Sequence, residues 1–159
     1  MESFVYVAIE GINYDRDFYV VRELTILFPN GDVQHLHFKN PSNLVLTETQ
    51  RKTARYTQSY LNGFGIADNP SCCLPNSTCI DVLKNIDKYR IYCAGDITTR
   101  FLMQRLPDST IIDICKLFNF SYPKKACNPR CSIQHGGSYR NCSLFKAYCL
   151  KERLDGCLL

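Results

Sequence analysis

The chain has 159 residues, enough for one domain with a real core, and 45% hydrophobic against 21% charged residues is the balance of a soluble globular protein. No apolar run approaches the roughly 18 residues that a membrane span needs, which argues against a membrane partner. A formal charge of +4 permits a nucleic-acid partner without requiring one.

Phe4 to Ile9 is rich in β-branched and aromatic residues and reads as a central strand that Glu10-Gly11 ends. The same stretch has no positive leader and alternates like a strand, so it is not a signal peptide, and the protein is expected to be intracellular, in cytoplasm or nucleus. A polar turn over Asp15 to Asp17 leads to a second long strand, Phe18 to Phe28. Pro29-Asn30-Gly31-Asp32 is a hairpin turn, and a third strand runs from Val33 to Lys39. In that strand His35 and His37 share one face, a pair that could bind metal but reads more simply as a solvated face.

Thr47-Glu48-Thr49-Gln50 fits a capping box, which predicts a helix from Glu48 to Asn62 stopped by Gly63. Its apolar stripe, Ala54, Tyr60, Leu61 and the following Phe64, is ragged. Ile66 to Cys79 reads as a loop whose Cys72, Cys73 and Cys79 have no histidine close by and are expected to be unligated. A short helix over Ile80 to Asp87, a strand over Tyr89 to Ala94, a helix over Ile97 to Arg105, a strand over Thr110 to Ile114 and a terminal helix over Cys142 to Arg153 complete the chain. Three antiparallel strands followed by helices alternating with strands give an α/β fold, a five-stranded mixed sheet flanked by helices in a ribonuclease H-like (RNase H-like) arrangement.

Ten cysteines would suit a secreted disulfide scaffold, and sequons at Asn76, Asn119 and Asn141 keep that alternative open. In a reducing compartment, cysteines clustered with histidine argue for metal instead. Cys131-x3-His135-x6-Cys142 places two thiols and an imidazole at short spacing beside Gly136-Gly137, and zinc takes four tetrahedral ligands of those types. The plainer alternative is buried free cysteines beside an exposed histidine. Glu23, midway along an apolar strand, needs either a cation or an exposed face, because an unpaired buried carboxylate costs several kcal/mol. Val21 and Thr25 are expected on its side of the pleat.

Arg51, Lys52 and Arg55 share a helical face, and Lys124, Lys125, Arg130 and Arg140 flank the cysteine cluster. Tyr56, Tyr60, Tyr122 and Tyr139 lie near them, and cations interleaved with aromatic rings are what unpaired bases bind. A solvated basic face is the competing explanation.

Several segments taken in order resemble the proofreading-type exonucleases of the RNase H-like fold: Ala8-Ile9-Glu10 their first acidic motif, Gly63-Phe64-Gly65-Ile66 a turn after the first helix, Ile91 to Leu102 the second motif, and Ile111-Ile112-Asp113 the strand that follows. Those enzymes hold two divalent ions with four carboxylates. Here Ala8 and Thr98 stand where aspartates would, leaving Glu10, with Asp96 and Asp113 as substitutes. The chain is more similar to the Maelstrom domain of the piRNA pathway, which has that fold, lacks its acidic set and carries a Glu-Cys-His-Cys zinc site. Val21-Arg22-Glu23-Leu24, with Phe28, Gly31 and the His-containing strand, follows that family's pattern. The resemblance implies a structural zinc held by Glu23, Cys131, His135 and Cys142, with Cys127 a rival to Glu23. It also implies binding of single-stranded nucleic acid, RNA in the first place, with weak ribonuclease activity at most, in RNA silencing or its evasion. The alternatives are an active 3′-5′ exonuclease using divalent ions at Glu10, Asp96 and Asp113, and a non-enzymatic protein-interaction module.

Overall fold

The computed structural model describes residues 3–68, 74–120, 122 and 142–158, with backbone alone for 156–158. Strands β1 (Phe4–Asp15), β2 (Phe18–Leu27), β3 (Val33–His37), β4 (Arg90–Cys93) and β5 (Ile111–Asp113) form one sheet in the order β3-β2-β1-β4-β5. β1–β2 and β2–β3 pair antiparallel, β1–β4 and β4–β5 parallel, as expected of the mixed sheet. The helices are α1 (Glu48–Tyr60), α2 (Thr78–Lys84), α3 (Asp96–Arg105), α4 (Ile114–Leu117) and α5 (Ser143–Leu158). None of the described helices is long and apolar enough to cross a membrane.

The local signals act where the sequence places them. Thr47 and Gln50 form the reciprocal capping box at the start of α1. Gly31 takes φ +95 in the β2–β3 turn, where its N–H donates to the Phe28 carbonyl at 3.0 Å, a conformation that a residue with a Cβ adopts only under strain.

Several elements differ from expectation, among them α2, which begins at Thr78 and ends at Lys84, and α5, which runs on to Leu158. β1 runs on through Glu10-Gly11 to Asp15, paired with β2, which passes so close that a Cβ on Gly11 would lie 2.0 Å from the Val20 carbonyl oxygen. α4 arises because the Asp113 carboxylate caps it, accepting from the Cys115 N–H.

The core has two layers. On one side Val5, Val7, Ile9, Leu24, Ile26 and Ile91 pack against Leu83 of α2 and Phe101 and Leu102 of α3. On the other, Tyr6, Ala8 and Leu27 meet Ala147 and Leu150 of α5, while Ile12, Tyr14 and Val20 meet Ala54 of α1 and Phe64. Cys79, expected in a loop, is buried in α2 among the first group, and burial pushes its thiol up to about 12. Cys93 is buried likewise and pushed up to about 11, whereas Cys115 is exposed. Iodoacetamide at pH 8 is therefore expected to label Cys115 in the native protein and to reach Cys79 and Cys93 only on unfolding, as peptide mass spectrometry would report. Rapid native labelling of Cys79 would contradict this packing.

Candidate metal centre

A β-bulge sets up the site. β1 and β2 keep register at Glu10↔Glu23 but resume at Gly11↔Val21, so Arg22 is the extra residue. The insertion breaks simple alternation: Val21 joins Leu24 in the α2/α3 layer, and not, as expected, the side of Glu23. Arg22 and Glu23 both work on the α1/α5 side. Arg22 reaches the Gly65 carbonyl after α1 at 2.6 Å, and Glu23 reaches the first residue of α5.

Glu23 is fully buried. One carboxylate oxygen, Oε1, accepts the Ser143 backbone N–H, and the other, Oε2, lies 2.9 Å from His37 Nε2 and 3.6 Å from His35 Nε2. The register explains the convergence, since His37 is the direct cross-strand partner of Glu23, and His35 that of Thr25. The Thr25 and Ser143 hydroxyls share a hydrogen bond of 2.8 Å, which fixes α5 against the same spot. The imidazole centroids are 4.6 Å apart at 70°. The histidine side chains are only 18% and 14% exposed, so the expected solvated face is a partly enclosed one, with the Phe64 ring centre 6.3 Å from that of His37. His35 Nε2 is buried with no hydrogen-bond partner among the described residues. One ligand atom from each of Glu23, His35 and His37 lies within 4.8 Å of the others, a possible metal-binding triad.

The C-terminal part of the expected zinc set is reached only in part. Cys142 directly precedes Ser143 but is buried with Phe145 and Cys149, and among the described residues it does not join Glu23 in a metal-ligating group. Cys127, Cys131 and His135 lie outside the described residues, as do Cys72, Cys73, Lys124, Lys125, Arg130, Tyr139, Arg140 and Asn141.

The carboxylates of the exonuclease alternative are each engaged separately. Glu10, buried in β1, receives the Lys146 ammonium from α5 and the Asn62 side-chain amide at 3.0 Å. Asn62 also donates to the Gly11 carbonyl at 2.8 Å and accepts from the Phe64 N–H at 3.1 Å, so it is held firmly against Glu10. Asp113 Oδ1 accepts from the Gly95 and Cys115 N–H groups, each at 3.0 Å. Asp96 is exposed in the first turn of α3. Among the described residues these three do not form a metal-ligating group.

On α1, Arg51, Lys52 and Arg55 are exposed, with Arg55 3.2 Å from Glu48. Tyr60, expected in the core stripe, is 71% exposed and Tyr56 57%, with ring centroids 5.1 Å apart. The buried positions of the helix are Ala54 and Thr57 instead. Tyr122 faces inward, its ring 5.0 Å from Phe120 and 5.2 Å from the Lys146 ammonium, so it offers no free face for a base.

No protein-family model, curated protein or solved structure matches this chain.

Proposed function

We propose that the protein is a zinc-stabilised RNase H-like domain that binds single-stranded nucleic acid, RNA in the first place, without hydrolysing it. The observation that carries the reading is the Tyr56–Tyr60 pair, two large rings left in solvent one helical turn apart beside Arg51, Lys52 and Arg55. Two adjacent exposed rings offer a surface on which unpaired bases stack, and the neighbouring cations can track the phosphates. The strand order β3-β2-β1-β4-β5 with an antiparallel β2 supports the RNase H-like assignment. The Lys146 ammonium on Glu10 supports the absence of hydrolysis, because it supplies in place the positive charge that a catalytic ion would bring. Zinc at Glu23 fits a structural role, since the carboxylate sits between the sheet and the start of α5. The resemblance to Maelstrom domains suggests that such binding serves RNA silencing or its evasion inside the cell.

Fluorescence anisotropy with labelled single-stranded RNA, single-stranded DNA and duplex tests the reading. Tyr56→Ala and Tyr60→Ala are each expected to weaken single-strand binding at least about fivefold, from a stacking contribution of about 1–3 kcal/mol per base. The triple variant Arg51→Ala/Lys52→Ala/Arg55→Ala is expected to lower the salt slope by about 2. Wild-type protein with no salt-dependent binding would leave the protein-interaction alternative. RNA degradation in magnesium that stops with Glu10→Gln would restore the exonuclease alternative.

A further inference from the structure

We propose that His35 and His37 are metal ligands, and that with Glu23 they form a two-histidine, one-carboxylate site for a transition-metal ion on the β2–β3 ribbon. The inference rests on the reading that an ion sits at Glu23, and it assigns the ligands that the cysteine cluster alone does not supply.

The backbone presets this geometry. His35 and His37 alternate onto one face of β3, and Glu23 lies directly across from His37, so backbone hydrogen bonding between two paired strands positions all three ligands. Glu23 Oε1 is taken by the Ser143 N–H, which leaves Oε2 aimed at both imidazoles. A carboxylate fixed from behind by a backbone donor is the outer-sphere arrangement that orients a metal ligand.

Hydrogen bonding alone does not satisfy the cluster. His37 Nε2 is within bonding distance of Oε2 at 2.9 Å, but His35 Nε2 is 3.6 Å away, buried and unsatisfied among the described residues. Such an orphaned nitrogen is unfavourable, the more so because its register partner Thr25 is itself fully buried. A cation placed among the three atoms satisfies both ring nitrogens and the carboxylate together. Metal–ligand bonds of about 2.0–2.2 Å fit atoms already gathered within 4.8 Å after small side-chain rotations.

The donor set selects the class of ion. Two imidazoles and a carboxylate suit zinc, cobalt, nickel or copper, whereas magnesium and calcium require oxygen ligands. Three ligands from the ribbon leave one tetrahedral position for a further ligand. β3 is an edge strand, and an ion held here would fasten it to its neighbour through side chains as well as backbone.

The full chain purified from zinc-supplemented culture is the material for the test, compared with His35→Gln/His37→Gln and with Cys131→Ser/His135→Ala. Metal content by plasma mass spectrometry, zinc-edge X-ray absorption and circular dichroism are recorded for each. The expected result is about one zinc per wild-type chain with two imidazoles in its coordination shell, and at least a tenfold loss of zinc in the folded histidine variant. Zinc retained in the histidine variant, or a wild-type shell without two imidazoles, overturns the ligand assignment and leaves an ion at Glu23 standing. Wild-type protein that binds neither zinc nor added cobalt overturns that reading as well. If the histidine variant does not fold, the wild-type absorption spectrum decides alone.

Discussion

Arg22→Ala is expected to destabilise the fold by about 3–5 kcal/mol, from lost buried hydrogen bonds together with the cavity that alanine leaves. Arg22 has no exposed surface. Its Nε donates to the Phe38 carbonyl at 2.8 Å, Nη1 to the Gly65 carbonyl at 2.6 Å and Nη2 to Asp68 at 3.1 Å, while the guanidinium lies 5.4 Å from the Phe64 ring centre. One planar group therefore ties β2 to the end of β3 and to the segment after α1. Alanine takes the donor from the buried Phe38 carbonyl, leaves the Gly65 carbonyl to the Asn40 side-chain amide at 3.0 Å, and opens a cavity. Arg22→Lys should recover little, because an ammonium cannot reproduce the flat fork that reaches three acceptors. Asp68→Asn should cost under about 1 kcal/mol, since that carboxylate is 38% exposed and solvent screens the pair. Urea unfolding followed by circular dichroism measures all three, and an Arg22→Ala midpoint equal to the wild type would refute the network's importance.

Lys146→Met is expected to destabilise by about 2–4 kcal/mol, whereas the double variant Glu10→Gln/Lys146→Met should regain most of that loss. Methionine fills the space of the lysine stem but leaves the Glu10 carboxylate buried with Asn62 as its donor. Glutamine removes the charge and keeps hydrogen-bonding capacity toward Asn62. The cycle should return a coupling of about 1–3 kcal/mol. Equal stability of the single and double variants would mean that the pair contributes no specific interaction.

The sheet was legible because its signals are local. Period-two strands, the Asn30-Gly31 turn and the Thr47/Gln50 box each act within a few residues, and they appear where expected. What escaped depends on distant partners. Glu10-Gly11 read as a strand end because Lys146, which receives the carboxylate, is 136 residues away. The face of His35 and His37 read as solvated because the Glu23 carboxylate that it meets is held by Ser143, 120 residues further along the chain. Arg22 gave no signal at all: the bulge that turns it inward is a property of two strands together. Glu23 was legible as a site because a buried carboxylate needs a partner wherever the chain places it. The expected partners Cys131 and His135 fall outside the described residues, and the histidines across the strand are the ones the structure brings to it.

The central place of β1 has a consequence for how the chain is made. β1, β2 and β3 can pair soon after they leave the ribosome, but the free edge of β1 must wait for β4, which begins at Arg90. At about 5–20 residues per second that delay lasts seconds. Glu10 and Glu23 wait longer still, until Lys146 and Ser143 emerge, and through that interval they remain hydrated charges on one face of the nascent sheet. The last helix thus completes both sites at once, bringing the ammonium that neutralises Glu10 and the backbone N–H that binds Glu23.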